Sequence, residues 1–312
     1  MYSRRLSVKI LTVLVVLLLA GSTSVAEKVL LRARYKQGEK YLTVMVSKQE
    51  IDQTFGTQRQ KIKQTMKMEM AMQVLSVDAE GTADIKVTYR RMAIKQESPF
   101  GTLDYDSADP DKKDLSHPSV AGYKALVGNW VIMTMSSRGE VKGIRGTERI
   151  KKSILDTIPE GPEREVAAKQ LDRIMSADRF SQQMSGFSMV LPENPVGVGD
   201  TWKHDQKMNL GFANVLVRMD FKARRITTDT VDVERTATIE STGQADAGAP
   251  MTFTVADGSK QSGTTKVNRT NAALTSSELS QTMNVTIQVR GRTIKQNVTG
   301  TATLVITRDT GR

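Results

Sequence analysis

Of the 312 residues, 38% are hydrophobic and 25% charged, a balance that supports a sizeable core and excludes disordered, collagenous and polytopic membrane chains. The absence of cysteine excludes a disulfide framework, thiolate chemistry and a lipid-modified cysteine anchor, and two histidines, His117 and His204, leave little for a His-rich metal centre or a triad. A formal net charge of +11 raises anionic partners, but 5% aromatics and basic residues alternating with acids provide no stacking platform, so no nucleic-acid partner is expected.

Residues 1–26 read as a secretory signal, with Arg4, Arg5 and Lys9 as the positive region, Ile10 to Ala20 as the apolar region and Ser24-Val25-Ala26 as the cleavage site. The apolar run is roughly half of the about 20 residues a spanning helix needs, so cleavage after Ala26 is expected to leave a chain that does not span a membrane. Export without cysteine points to a bacterial periplasm or exterior. Asn268, Asn284 and Asn297 each open a glycosylation sequon that matters only in a eukaryotic host.

The body divides into an N-terminal β meander, residues 27–195, and a C-terminal antiparallel half, residues 196–312. In the first, Ile62, Gln64, Met66, Met68, Met70, Met72 and Val74 share one face of a long strand whose other face carries Lys61, Lys63, Thr65, Lys67 and Glu69. The four thioethers Met66, Met68, Met70 and Met72 are the candidate apolar ligand face. Three readings compete for them: core packing, the lining of a lipid-type cavity, and soft ligation of Cu(I). Four thioethers along an extended strand cannot all reach one ion, so no metal site and no cofactor are assigned.

Asp104, Asp106, Asp109, Asp111 and Asp114 supply hard oxygen atoms for Ca²⁺, yet the EF-hand pattern fails, and a solvated acidic loop is expected. Helices are expected only in an insert at about 147–186. Thr147 caps a first helix carrying Ile150, Ile154 and Leu155, and a second runs from Pro162 to about residue 184 with Val166, Ala167, Leu171, Ile174 and Met175 on one side. Such helices cover the apolar face of a sheet.

In the second half, Ala213, Val215, Val217, Met219 and Phe221 form one strand face. Leu279, Met283, Val285, Ile287 and Val289 form another, continued after Gly291 by Ile294, Val298, Ala302, Leu304 and Ile306. Hairpins are expected at Asp78 to Gly81, Arg138 to Glu140 and Arg290 to Arg292. The openings Tyr35 to Tyr41 and Val198 to Trp202 are alike, as are the stretches at Gly101 and Gly263, so the C-terminal half reads either as a divergent repeat packed with the first or as a coincidence of turn chemistry. The fold class is mainly β, with long antiparallel curved sheets or a half-barrel and a helical segment in the middle of the chain.

The opening Tyr35-Lys-x-Gly-Glu-x-Tyr41, the stretch Asp104-Tyr-Asp-Ser107 and the segment from Leu191 to Trp202 resemble an uncharacterised family of exported bacterial proteins known only as a domain of unknown function. The resemblance covers most of the chain beyond the signal and implies no catalytic residues. In architecture the chain is distantly similar to the half-barrels of periplasmic lipoprotein carriers and mycobacterial lipid-binding lipoproteins, although it lacks the modified cysteine of the latter.

No nucleophile elbow, phosphate loop or zincin motif is present, and His204-Asp205, the one His-acid neighbour pair, is expected to point to opposite faces of a strand. A non-enzymatic protein is therefore expected. It binds a lipid or another hydrophobic ligand in an apolar cavity of a curved sheet, or it serves as a structural or interaction module that meets an envelope protein and takes no small ligand.

Overall fold

The computed structural model describes residues 28–112, 118–185, 188–209, 213–243, 251–289 and 291–310. The signal segment, His117, Asp114 and Arg290 lie outside the described residues. Long period-2 sequences build β1 (Lys40–Phe55), β2 (Gln58–Val77), β3 (Ala83–Ser98) and the short β4 (Gly101–Asp106). After α1 (Pro118–Leu126) come β5 (Trp130–Met135) and β6 (Val141–Arg145), then α2 (Thr147–Leu155), α3 (Pro162–Ile174) and α4 (Ala177–Ser185). The second half is β7 (Thr201–Asn209), β8 (Asn214–Ile226), β9 (Thr230–Ser241), β10 (Met251–Val255), β11 (Lys260–Asn268), β12 (Leu274–Val289) and β13 (Arg292–Arg308).

All thirteen strands join one antiparallel sheet in the order β6-β5-β3-β2-β1-β13-β12-β11-β9-β8-β7, with β4 paired to β3 and β10 to β12. The two halves meet where β1 pairs with β13, from Tyr41 opposite Arg308 to Phe55 opposite Ile294. The sheet is a path with two ends rather than a closed barrel. It nevertheless curls, because α4 packs on both end strands, β6 and β7. Gln182 on α4 fastens β7, accepting from the Asn209 amide at 2.7 Å and receiving the Gln206 side chain on its carbonyl at 3.1 Å.

Neighbouring strands come unusually close at two glycines. A Cβ on Gly263 would lie 1.9 Å from the carbonyl oxygen of Glu278 on β12, and one on Gly300 would lie 2.5 Å from that of Lys48 on β1. Only glycine allows backbones to approach so closely.

The inward face is covered from two sides. Over the C-terminal half lie Leu31 and Ala33 of a strap at residues 28–35, with Met189, Leu191 and Val196, packed on Val217, Met219, Phe221, Val231 and Val233. The strap is tied by Val29 and Val196, which exchange backbone hydrogen bonds at 2.9 and 3.0 Å, and by the Ala33 amide to Ser137 at 2.7 Å. Arg32 caps it, donating to the carbonyls of Pro192 and Glu193, both at 2.7 Å. Over the N-terminal half lie Ile150, Ile154, Leu171, Met175 and Phe180 of α2 to α4, packed on Met70, Val74, Ile85, Val87 and Val131. A smaller core joins Val120 and Tyr123 of α1 to Met92, Ile94, Leu103 and Tyr105.

Three local expectations are corrected. The helical region begins earlier than 147, since α1 forms at Pro118–Leu126; its apolar side has Val120 buried against β3 and β4, which compensates for Gly122. The cap of α2 is Gly146 at φ 92°, with Thr147 buried as its first residue rather than acting as the cap. The helix expected from Pro162 to about residue 184 is two helices, broken at Met175, where φ is −111° and ψ 23°, and restarted by the Ser176 hydroxyl, which accepts from the Arg179 amide.

The outward face is held by charge. Arg91 donates to both carboxylate oxygens of Asp106, Nε to Oδ1 at 2.9 Å and Nη2 to Oδ2 at 2.5 Å, and also reaches Glu69 at 3.3 Å. The Arg91 guanidinium thereby holds the Asp106 carboxyl below the usual carboxylate range. That contribution is complete above the unfolded-state pKa of about 4 and is lost as pH falls through the lower folded value. Asp106→Asn is therefore expected to lose stability at neutral pH and to close much of its gap to the wild type by pH 2.5, measured as urea midpoints at both pH values. A gap that stays constant would show that the ion pair contributes nothing.

Candidate functional site

The register places inward side chains of distant strands in rows running across the sheet. One row is amide: Gln96 on β3, Gln64 on β2 and Gln49 on β1, then Gly300 on β13, Gln281 on β12 and Gln261 on β11. Across six strands at the usual spacing it spans about 24 Å. Gln64 donates to Gln96 at 3.4 Å and Gln261 to Gln281 at 3.2 Å. A second amide contact, Gln296 to Gln53 at 2.7 Å, lies nearer the hairpin tips.

Beside the amide row, on the side of the helical cover, the rows are apolar except for one serine in each. Met66, Ser47, Ala302 and Leu279 form the first, and Met68, Met45, Leu304 and Ser277 the second. Leu279, Ala302, Leu304 and Ile306 are half-buried and belong to none of the three cores. A trough floored by apolar side chains and bordered by amides thus crosses the middle of the inward face, between the strap on one side and the helices on the other.

The four expected methionines all face inward. Met70 is buried in the core under the helices, Met68 and Met72 pack at its margin, and Met66 packs beside Met92 and Ile94. The Thr43 hydroxyl, itself buried, donates to Met72 Sδ at 3.0 Å. The row therefore runs from the covered core at Met70 and Met72 out to the trough at Met66 and Met68.

His204 and Asp205 do point to opposite faces, the histidine half-buried and the aspartate exposed. Burial lowers the His204 pKa, an effect partly opposed by the Glu140 carboxylate on the facing hairpin. Three carboxylates of the acidic loop are engaged by protein cations, Asp104 by Lys112 at 3.0 Å, Asp109 by the same lysine at 3.9 Å, and Asp106 by Arg91. Among the described residues no group of three or more acids or histidines is placed to hold a metal ion.

The amide row was not read from the sequence. Its signal is present, since Gln64 interrupts the apolar positions between Ile62 and Met66, and Gln281 and Gly300 fill the positions skipped between Leu279 and Met283 and between Val298 and Ala302. Joining them requires the pairing of β1 with β13, which no local pattern specifies.

Fold and trough define a class of protein: a curled, open antiparallel sheet with a helical and strap cover and an amphipathic inward face. The chain belongs to a family of unknown function (DUF6263), whose model matches residues 80–274. No curated protein matches the sequence. Among solved structures it is similar to lipovitellin, in a structure concerned with lipid-protein interactions, at 8% identity and a TM-score of 0.46 over 89% of this chain and 26% of that one. It is also similar to OccK5 (OpdH) of Pseudomonas aeruginosa, at 9% identity and a TM-score of 0.22 over 86% and 98%. The chain spans about a quarter of the length of lipovitellin.

Proposed function

We propose that the protein is an exported, non-enzymatic carrier or receptor that binds a hydrophobic ligand, such as a lipid, along the trough. One observation carries the reading: Leu279, Ala302, Leu304 and Ile306 face inward yet join no core, so the apolar floor of β12, β13 and β1 is left for something other than the chain's own covering segments. Cleavage after Ala26 would leave the strap whole, because its first tie to the 192–196 segment is at Val29.

The test uses the full mature chain, freed of lipid by unfolding and refolding, and titrated with a long-chain alkyl probe. Leu304→Glu is expected to weaken binding by about tenfold or more while costing under about 1 kcal/mol of stability, since the residue lies outside the cores. Met68→Leu with Met70→Leu should bind and fold nearly as the wild type, each swap costing under about 1.5 kcal/mol. If no alkyl probe binds the wild type, the trough is simply an open sheet face and the reading as an interaction module without a small ligand takes its place.

A further inference from the structure

Arg235 on β9 faces inward, is 3% exposed and lies between the buried side chains of Val233 and Ala237. Opposite it are Phe221 on β8, stacked on Trp202, and Gly263 on β11. Its Nη2 donates to Gln261 Oε1 at 3.3 Å, its Nε is buried without an acceptor, and no carboxylate among the described residues pairs with it. A guanidinium stays protonated under these conditions, and a buried charge without a counter-charge is costly unless something supplies one.

Its position is what makes it informative. Through Gly263 and Leu279 the row of Arg235 continues to Ala302, Ser47 and Met66, the apolar floor of the trough. Its hydrogen bond to Gln261, which stands opposite the neighbouring Ala237, also links Arg235 to the end of the amide row. Gln261 accepts from Arg235 and donates one of its N–H groups to the Gln281 oxygen, which turns the Gln281 NH₂ group away from Gln261. Donors therefore converge at this end of the trough, with no carboxylate in the row to attract a cation.

We propose that Arg235, with the Gln261 to Gln281 amides, receives the anionic oxygen headgroup, carboxylate or phosphate, of an amphiphile whose apolar chain lies over Leu279, Ala302 and Met66. This rests on the trough-binding reading above and adds the charge of the ligand. A planar fork of N–H donors matches such a group, and the surrounding apolar side chains strengthen the contact.

The experiment compares palmitate with hexadecanol, equal in chain length and different in charge, on the lipid-free mature protein, with inorganic phosphate as a separate arm. Palmitate is expected to bind about tenfold or more tightly than hexadecanol, as a charge-assisted hydrogen bond predicts. In Arg235→Met the two affinities should become equal, with a melting temperature no lower than that of the wild type, because an apolar side chain of similar reach replaces an uncompensated charge. The wild-type comparison stands even if that variant fails to fold. Equal binding of the two ligands by the wild type overturns the headgroup assignment and leaves the trough reading intact. A preference for palmitate that persists in a folded Arg235→Met also overturns it. Should neither alkyl ligand bind while phosphate raises the melting temperature of the wild type alone, the site takes a free anion and the amphiphile is wrong. Should nothing bind, both readings fall.

Discussion

Gly263→Ala is expected to destabilise the protein by more than about 3 kcal/mol, the upper end for an overpacked site, or to prevent folding altogether. The new Cβ would sit 1.9 Å from the Glu278 carbonyl oxygen and 2.9 Å from both the Glu278 carbonyl carbon and Leu279 Cα, all of them backbone atoms with no rotamer to relax. Relief requires β11 and β12 to separate, which breaks the ladder from Lys260 opposite Thr282 to Val267 opposite Leu274. Gly143 on β6 is the control, because a Cβ there meets nothing within 4 Å and its φ is not in the left-handed region. Gly143→Ala should change stability by no more than about 0.5 kcal/mol. Thermal melts and urea midpoints of both variants decide the matter. Equal losses would mean that the close approach of β11 and β12 is not what Gly263 provides.

Leu31→Ala should cost about 2–5 kcal/mol, the range for truncating a fully buried leucine. Leu31 is 0% exposed and packs with Met189, Leu191 and Val196 on the interior of the C-terminal half. Its neighbour Leu30 is 49% exposed, so Leu30→Ala should stay within about 0.5 kcal/mol. Denaturant unfolding of the pair measures whether the strap is a structural member or an ornament. If Leu31→Ala is as mild as Leu30→Ala, the strap does not seal the sheet, and the trough extends beneath it.

The strands and their hairpins were legible because alternation is a local signal: Met66 to Val74 and Ala213 to Phe221 face inward as their spacing demands. The family resemblance held for the same reason, since the turn and strand-start residues that carry it are local. Elements whose stability is tertiary were not legible. The helix α1 forms from Pro118-Ser-Val-Ala-Gly-Tyr, a poor helix former, because Val120 is buried on β3 and β4. The strap resembles a short strand in sequence but makes one bridge, at Val29, and otherwise serves as a cover. The methionine row was visible as an inward face, whereas the amide row beside it becomes continuous only where Gln49 pairs with Gly300, far along the chain, and Arg235 joins its end through a hydrogen bond to Gln261 that no local pattern specifies. A lone arginine in the alternating sequence Val231, Val233, Arg235, Ala237, Ile239 was the one available warning.

The pairing of β1 with β13 also bears on how the chain is made. From Tyr41 to Phe55, one hydrogen-bonding edge of β1 is satisfied by β13, more than two hundred residues later in the chain. A ribosome delivers β1 long before β13, so fifteen consecutive register positions wait until residues 294–308 have appeared. Contacts of such sequence separation close slowly, and an unfilled strand edge invites pairing with another chain. The nascent chain is thus at its most aggregation-prone just before β13 emerges, and until then Val44, Met45 and Val46 have to be held apart from other chains.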